Sequence, residues 1–280
     1  MNLLHAILFG IVEGITEFLP ISSTGHLTIV EKLLGYQLDD PAITAFTSII
    51  QIGAIVAAII YFRSDIWRVA TAWLAGLMAK SARKNPDYMY GWAIIIGSVP
   101  IAIIGLAFQD MIETTLRSLW WVAGGLIVWS FVLLYADKKV AKKPKPESAT
   151  TWQDALKIGA VQCLALIPGV SRSGATISAG LLSGFDRVTA TRLSFFLGIP
   201  ALVAAGIFQT VKEFDNISAH SVGWGPTILA TVVSFGVGYA VIAWLIKFVA
   251  HNSFTSFVYY RIALGVLIVA LVASGTITAV

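Results

Sequence analysis

Six long apolar segments limit what this chain can fold into more than any other feature. A helix that crosses about 30 Å of hydrocarbon needs roughly 20 apolar residues. Segments of that length run roughly over 42–62, 90–108, 119–136, 187–209, 226–250 and 257–278. Charged residues make up only 12% of the 280 residues, about half their usual share in soluble domains. The pattern predicts an all-α polytopic membrane protein with six transmembrane helices.

Two further apolar stretches, residues 3–34 and 155–184, are each interrupted by a polar loop. The first loop is Pro20–Gly25 (PISSTG) and the second is Pro168–Gly174 (PGVSRSG). Each half of either stretch is too short to span a membrane, and irregular backbone at membrane depth survives only where protein or water satisfies it. We therefore predict two re-entrant helix-loop-helix hairpins. A single kinked span is the alternative for each.

The two interrupted stretches resemble each other, because Pro20–Gly25 aligns with Pro168–Gly174 when one inserted residue is allowed. This similarity predicts a first repeat over 1–136 and a second over 155–280, joined by a basic linker at 137–154. Each repeat holds one hairpin and three spans. Three is an odd number, so the second repeat is expected to be inverted, an arrangement that places binding sites near the midplane.

The positive charge of the chain predicts its orientation. The linker carries a lysine run, and loop 63–89 is also basic. A basic run can indicate nucleic-acid binding, but between apolar spans it is typical of a cytoplasmic loop, so we expect no nucleic-acid partner. Loops 109–118 and 210–225 then lie outside, the first hairpin enters from outside, and the second enters from the cytoplasm.

Two carboxylates precede the first loop. Glu13 and Glu17 are four residues apart, which places them on one face of a helix. Ionisable groups within a bilayer are costly and are functional candidates by default, and two adjacent carboxylates need a metal ion, a cationic partner or a shared proton. Solvation at a wet helix end is the alternative. Gly10 and Gly14 share this face, and a G-x-x-x-G pair allows close helix packing.

Each polar loop opens a short helix with hydroxyl residues, which are good N-caps. Such a helix start also offers free N–H groups and a positive dipole end to an anion. In the second loop, Arg172 adds a fork of donors suited to phosphate. We predict that phosphate contacts Arg172 and the hydroxyls of both loops. The hydroxyl residues concerned are Ser22, Thr24, Ser171, Ser173 and Thr176.

Two further residues have open roles. His26 shares the first loop with three hydroxyls, so it is a candidate to move protons, although a lone histidine is more often structural. Arg261 begins the last span and is either a second phosphate contact or an interfacial anchor.

The segment from Glu13 to His26 (EGITEFLPISSTGH) and the segment from Pro168 to Ser178 (PGVSRSGATIS) resemble the two signatures of the undecaprenyl-diphosphate phosphatases, also called bacitracin-resistance proteins. The similarity extends over essentially the whole chain. It implies hydrolysis of undecaprenyl diphosphate to undecaprenyl phosphate and inorganic phosphate, which recycles the carrier lipid for peptidoglycan synthesis. It also implies a bacterial cytoplasmic membrane location and a site that opens toward the outer face.

The resemblance further implies that Glu13, Glu17, Ser23, His26 and Arg172 are the functional positions, and that the enzyme depends on a divalent cation, Mg²⁺ or Ca²⁺, which we place on Glu13 and Glu17. Ser23 or a water would attack the terminal phosphorus, with His26 or Glu17 as the general base. The sequence leaves both choices open.

A transporter is the main alternative, because inverted repeats with broken helices also build carriers. The same site would then flip the carrier lipid. The cluster of Ser, His, Glu and Arg residues is richer than binding alone requires, which favours the enzyme. Glycine-rich segments such as Gly236–Gly238 permit helix contacts within one chain or in a homodimer.

Overall fold

A computed structural model describes residues 1–38, 40–116, 118–214, 217 and 222–279. These residues form helices and one isolated bridge, between Lys145 and Phe185, but no strand. The α-helices are α1 (Leu3–Thr16), α2 (Ser23–Leu33), α3 (Pro41–Tyr61), α4 (Arg63–Met78), α5 (Pro86–Ala107), α6 (Gln109–Glu113), α7 (Leu119–Lys138), α8 (Trp152–Gln162), α9 (Arg172–Leu182), α10 (Arg187–Lys212), α11 (Trp224–His251) and α12 (Thr255–Ala273). Short 3₁₀ helices cover Lys80–Lys84, Glu147–Ala149 and Cys163–Leu166.

The six predicted spans are confirmed as helices. Within the described part of the chain, six helices are long and apolar enough to cross a membrane. They are α3, α5, α7, α10, α11 and α12, and each coincides with a predicted segment within a few residues. Of the loops predicted to lie outside, residue 117 and residues 215, 216 and 218–221 lie beyond the described residues.

Each interrupted stretch forms a pair of short helices around its polar loop. The first pair is α1 and α2, and the second is α8 and α9. Both second members, α2 and α9, are 11 residues long. Each is followed by a glycine with positive φ, Gly35 at 77° and Gly184 at 94°, the conformation in which glycine ends a helix at least steric cost.

The predicted glycine face of α1 packs directly on α11. A Cβ added at Gly14 would lie 2.8 Å from the Ser234 carbonyl oxygen, and one added at Gly10 would lie 2.9 Å from Val233 Cβ. Both distances are too short for a real side chain. The close helix packing expected of the G-x-x-x-G pair is therefore confirmed, and Glu13 on the same helix is completely buried.

Aromatic side chains form the core next to the first loop. Phe18 and Phe195 meet edge to face with ring centroids 5.2 Å apart, and Phe62 lies against Phe195 and Phe196. Polar contacts hold the linker on this core, because Arg192 donates both to Glu147 of the linker and to Asp65 of α4. The basic linker is therefore packed onto α4 and α10 along this part of its length.

Candidate active site

The first loop keeps its two carboxylates and its serines close together. Helical geometry continues one residue past α1, since the Glu17 N–H donates to the Glu13 carbonyl at 3.0 Å. Ser22 then caps α2 with a positive φ of 74°, a conformation that non-glycine residues rarely adopt. Its hydroxyl accepts a hydrogen bond from the Gly25 N–H at 3.3 Å. Ser23 is consequently the first residue of α2.

The second loop repeats this geometry. Ser171 caps α9 with φ 75°, and its hydroxyl accepts from the Gly174 N–H at 3.2 Å. Arg172 therefore occupies the first position of α9, which corresponds to the position of Ser23 in α2. Strained backbone at two matching positions is typical of functional sites.

A chain of three side chains joins the two loops. The Ser23 hydroxyl donates to Glu17 Oε2 at 2.7 Å, and Arg172 Nη2 donates to Glu17 Oε1 at 3.1 Å. The predicted meeting of Arg172 with Glu17 is thereby confirmed. Arg172 Nη1 donates to the Ser194 carbonyl at 3.0 Å, and its buried Nε has no hydrogen-bond partner. The side chain is 10% exposed, so Nε remains available to a ligand.

Glu13 lies behind this chain of side chains. It is fully buried, and neither carboxylate oxygen has a hydrogen-bond partner. Buried carboxylates that lack partners are costly, so such a group calls for a cation or a proton. No group of three His, Cys, Asp or Glu side chains suited to a metal occurs among the described residues. Glu13 and Glu17 therefore fit a Mg²⁺ or Ca²⁺ ion only if water and substrate oxygens complete its coordination.

The ring nitrogens of His26 are hydrogen-bonded to groups other than Ser23. Its Nδ1 lies 2.7 Å from the Ser22 carbonyl oxygen, and its Nε2 lies 2.6 Å from the Tyr260 hydroxyl. A carbonyl oxygen can only accept, so Nδ1 carries the hydrogen, and Nε2 of the neutral ring accepts from Tyr260. Both ring nitrogens are thus engaged, and the Ser23 hydroxyl already has Glu17 as its acceptor.

Two of the predicted phosphate contacts, Ser173 and Thr176, are fully buried and have protein partners. Ser173 donates to the Leu19 carbonyl at 2.8 Å, which ties the second loop to the first. Thr176 donates to Ser194 Oγ at 2.6 Å. As phosphate contacts these two residues stay predictions, and their present bonds hold the loops in place.

Arg261 is not the interfacial anchor that was one of the two roles expected for it. It is completely buried, whereas an interfacial anchor is exposed. Its guanidinium donates to Pro20 O of the first loop at 2.7 Å and to Gly169 O and Val170 O of the second loop at 2.9 and 3.1 Å. Further bonds reach α7 at Ser130 and Gly125. Arg261 therefore braces both loops against α7, and its role as a phosphate contact stays a prediction.

A cavity of about 570 Å³ adjoins the loops. Arg172 and Thr24 are the predicted site residues among those that line it. Hydroxyl and carboxyl side chains of α2 and α3 form one wall, and apolar residues of α5 and α10 form the opposite wall. The surface of the cavity is mostly apolar, and Arg172 forms part of its lining.

Sequence reasoning missed two residues of the site. Tyr260 holds His26, and Ser194 supports both Arg172 and Thr176. Tyr260 stands next to Arg261 in an otherwise apolar span, which was a usable signal. Ser194 had none, because one serine in a long helix is unremarkable without the packing.

Comparison with known proteins accounts for these motifs. The family model described as "Bacitracin resistance protein BacA" matches residues 6–267. The chain belongs to the bacitracin resistance protein family. Both polar loops and both arginines of the site lie inside the matched range.

Relatives of this BacA-family chain extend over its full length. A protein of Frankia casuarinae named undecaprenyl-diphosphatase 3 is 58% identical over 279 residues, with all of both chains covered. An undecaprenyl-diphosphatase of Cutibacterium acnes is also 58% identical, over 286 residues and with both chains fully covered. One from Prosthecochloris aestuarii is 48% identical over 285 residues, again with full coverage of both. These BacA-family relatives all carry the name of a diphosphatase.

Proposed function

We propose that this chain is an integral-membrane phosphatase that hydrolyses undecaprenyl diphosphate to undecaprenyl phosphate and inorganic phosphate. One observation carries the proposal: Ser23, Glu17 and Arg172 form a continuous hydrogen-bonded chain between the two loops. A hydroxyl nucleophile, its base and a phosphate-binding cation are thereby adjacent. The names of the full-length relatives supply the substrate. Such an enzyme would recycle the carrier lipid for cell-wall synthesis and support bacitracin resistance.

The reaction would begin at Ser23. Its oxygen forms a bond to the terminal phosphorus while its proton passes to Glu17, which already accepts it at 2.7 Å. The bond from phosphorus to the bridging oxygen breaks, and undecaprenyl phosphate leaves. Glu17 gives the proton it accepted to the departing phosphate, which leaves the carboxylate free again. A water then attacks the phosphorus of the phosphoserine while Glu17 takes a proton from that water. The bond from phosphorus to Ser23 Oγ breaks, Glu17 returns a proton to that oxygen, and inorganic phosphate is released. Direct attack by a water held at Glu17 is the alternative, and trapping a phosphoenzyme on Ser23 distinguishes the two.

Glu17 is the better supported general base. Both ring nitrogens of His26 are engaged with other groups, whereas Glu17 accepts the hydrogen bond of the Ser23 hydroxyl directly. We propose that His26 holds the Ser22 carbonyl, and with it the strained turn that aims Ser23. A hydrogen bond from a side chain to backbone at such a turn keeps the nucleophile in position.

The phosphates would bind between the loops. Arg172 Nε is buried without a partner, and the first N–H groups of α2 and α9 have no acceptor within their helices. Together they form a preorganised anion site that stabilises the charge of the transition state. A divalent ion bound by Glu13 and Glu17 would neutralise phosphate charge and polarise the phosphoryl oxygens. Ser22, Thr24, Ser171, Ser173 and Thr176 remain predicted phosphate neighbours.

We propose the predicted topology for the membrane-bound protein. The helix pairs α1–α2 and α8–α9 would be re-entrant hairpins within inverted repeats over 1–136 and 155–280, joined by the linker 137–154. Matching serine caps, matching φ angles and equal lengths of α2 and α9 support the repeat. The lysine-rich linker would face the cytoplasm, and the site would open toward the outer face of the bacterial inner membrane. Labelling of single cysteines from each side of sealed vesicles tests the orientation.

Phosphate release from undecaprenyl diphosphate by the purified protein in detergent tests the activity. Wild type should release phosphate, and Ser23→Ala and Glu17→Gln should not. Asp110→Asn is the matched control for Glu17, since Asp110 lies on the exposed helix α6. Lipid flipping without hydrolysis would favour a transporter, which the names of the relatives do not support. A homodimer stays a prediction, to be tested by the mass of the protein in nanodiscs.

A further inference from the structure

The apolar wall of the cavity consists of two helix faces that follow internal prolines. Every α5 residue that lines the cavity comes after Pro100, and every α10 residue that lines it comes after Pro200. Just before the prolines the two helices are tied together, because Ser98 Oγ donates to the Leu197 carbonyl at 3.0 Å. Proline kinks a helix. The outer halves of α5 and α10 can therefore diverge and leave a groove between them.

Small residues line this groove at helical spacing. The positions concerned are Ala102, Gly105, Ala201, Ala204 and Ala205. Spacings of three and four residues place them along one face of each helix. A Cβ added at Gly105 would meet only Leu166, at 3.8 Å, so space rather than packing lies over this glycine.

The opposite wall has different chemistry. Thr28, Thr47 and Ser48 line it, and each donates its hydroxyl hydrogen to a carbonyl of its own helix. These oxygens consequently face the cavity as acceptors, which suit water better than phosphate. Arg172, nine-tenths buried with an unpartnered Nε, is the group of this cavity that attracts an anion.

We propose that the groove between the outer halves of α5 and α10 binds the first isoprene units of the substrate. This rests on the proposed function, since the diphosphate must be held at Arg172. The polar wall would admit the water that hydrolysis consumes, while the prenyl tail of the substrate extends across the apolar wall toward lipid. A volume of about 570 Å³ holds the head group and only the first units of so long a chain.

Shape rather than the hydrophobic effect decides this binding. The prenyl chain moves from lipid into an apolar groove, so little apolar surface leaves water, and van der Waals packing supplies the affinity. Contacts of this kind are lost when a groove is filled. Substitution of a small groove residue by a large one should therefore raise KM and leave the reacting groups untouched.

The kinetic test compares two alanines of α5. Ala102 lines the groove, whereas Ala107 is equally exposed but does not. Ala102→Phe should raise the KM for undecaprenyl diphosphate about tenfold or more, with kcat nearly unchanged, because a blocked apolar contact costs on the order of 1–3 kcal/mol. Ala107→Phe should leave both constants at wild-type values. Equal behaviour of the two variants would overturn the proposal.

A protection test needs no turnover. In a Cys163→Ser background, Ala102→Cys and Ala107→Cys are modified with a maleimide, with and without farnesyl diphosphate. The diphosphate should slow modification at position 102 and not at 107. Equal protection by phosphatidylglycerol, or none by the diphosphate, would contradict a prenyl groove. If the wild type hydrolyses no diphosphate while the Ala102→Cys variant is still protected by it, the proposed function is overturned and the groove stands.

Discussion

The two polar loops have the same backbone and opposite chemistry. In both, a serine with φ near 75° caps an 11-residue helix and accepts a bond from the N–H of a glycine three residues on. The first position of the helix is Ser23 in one loop and Arg172 in the other. Two carboxylates precede the first loop, and none occurs at the corresponding place before the second.

This difference shows how one backbone solution can build a bifunctional centre. The shared geometry creates an anion-binding helix start twice, at the same cost in strain. In the proposed mechanism, side-chain divergence assigns the nucleophile and the base to one loop and the cation to the other. Neither loop holds a complete site, so the centre exists only where the two meet.

The largest effect is expected from the charges in which the loops differ. Glu17→Gln and Arg172→Lys should each lower kcat by about a hundredfold or more, because one removes the base and the other the planar fork of donors. Phosphate release at saturating substrate measures this. Asp110→Asn and Arg63→Lys, both on exposed side chains, should keep the wild-type rate. Full activity of Glu17→Gln would break the proposed division of roles.

Arg261 tests what the loops share, because it bonds carbonyls of both. Arg261→Met should leave several buried carbonyls without a donor and lower the free energy of unfolding by roughly 3 kcal/mol or more. Thermal unfolding in detergent reports the change. If the role of Arg261 were only to bind phosphate, the variant would lose affinity for phosphate but unfold at the same temperature as the wild type.

Glu13 precedes the first loop and has no acidic counterpart before the second loop. It is buried, and neither of its carboxylate oxygens has a hydrogen-bond partner among the described residues. If it holds a cation, Mg²⁺ should raise the melting temperature of the wild type, since a ligand that binds the folded state stabilises it. Glu13→Gln should abolish that shift. An identical Mg²⁺ response in both proteins would remove Glu13 from the metal site.

Tyr260 is hydrogen-bonded to His26 beside the first loop, and in the described part of the chain no tyrosine makes the corresponding bond beside the second loop. Tyr260→Phe removes one bond to His26 and should lower kcat by up to about tenfold, the equivalent of one hydrogen bond. Tyr259→Phe is the matched control, since Tyr259 is the neighbouring tyrosine and its side chain is 69% exposed. Equal rates in the two variants would show that His26 needs no support from α12.

The smallest effect concerns the helix pair α8 and α9, whose first helix begins with a capping box between Thr151 and Asp154. Burial alone would raise the pKa of the Asp154 carboxyl, but hydrogen bonds from Thr151 and the ion pair with Lys145 outweigh it, so the pKa is lowered. The resulting stabilisation is complete above the unfolded pKa of about 3.9 and disappears as pH falls through the folded value. Asp154→Asn should remove this part of the acid sensitivity, as measured by unfolding between neutral and acidic pH.

Much of the fold follows from local sequence. The six spans, the two interruptions and the close packing at Gly10 and Gly14 were predictable, because hydropathy and small-residue spacing act between near neighbours. The site was predictable in part. The contact between Arg172 and Glu17 was predictable, because a charged side chain at membrane depth is costly unless it has a partner of opposite charge. The hydrogen-bond partners of His26 were not predictable from the sequence.

Sequence alone decides which backbone segments are apolar, where they break, and which loops carry hydroxyls, acids and arginines. Tertiary structure decides which of these groups touch. Glu17 and Arg172 are 155 residues apart, and Tyr260 lies 234 residues from His26. The packing of α12 places Arg261 against carbonyl groups of both loops. It also places the Tyr260 hydroxyl against His26 Nε2. Local patterns encode helices because their forces act within a few residues, while these contacts depend on how all the helices pack at once.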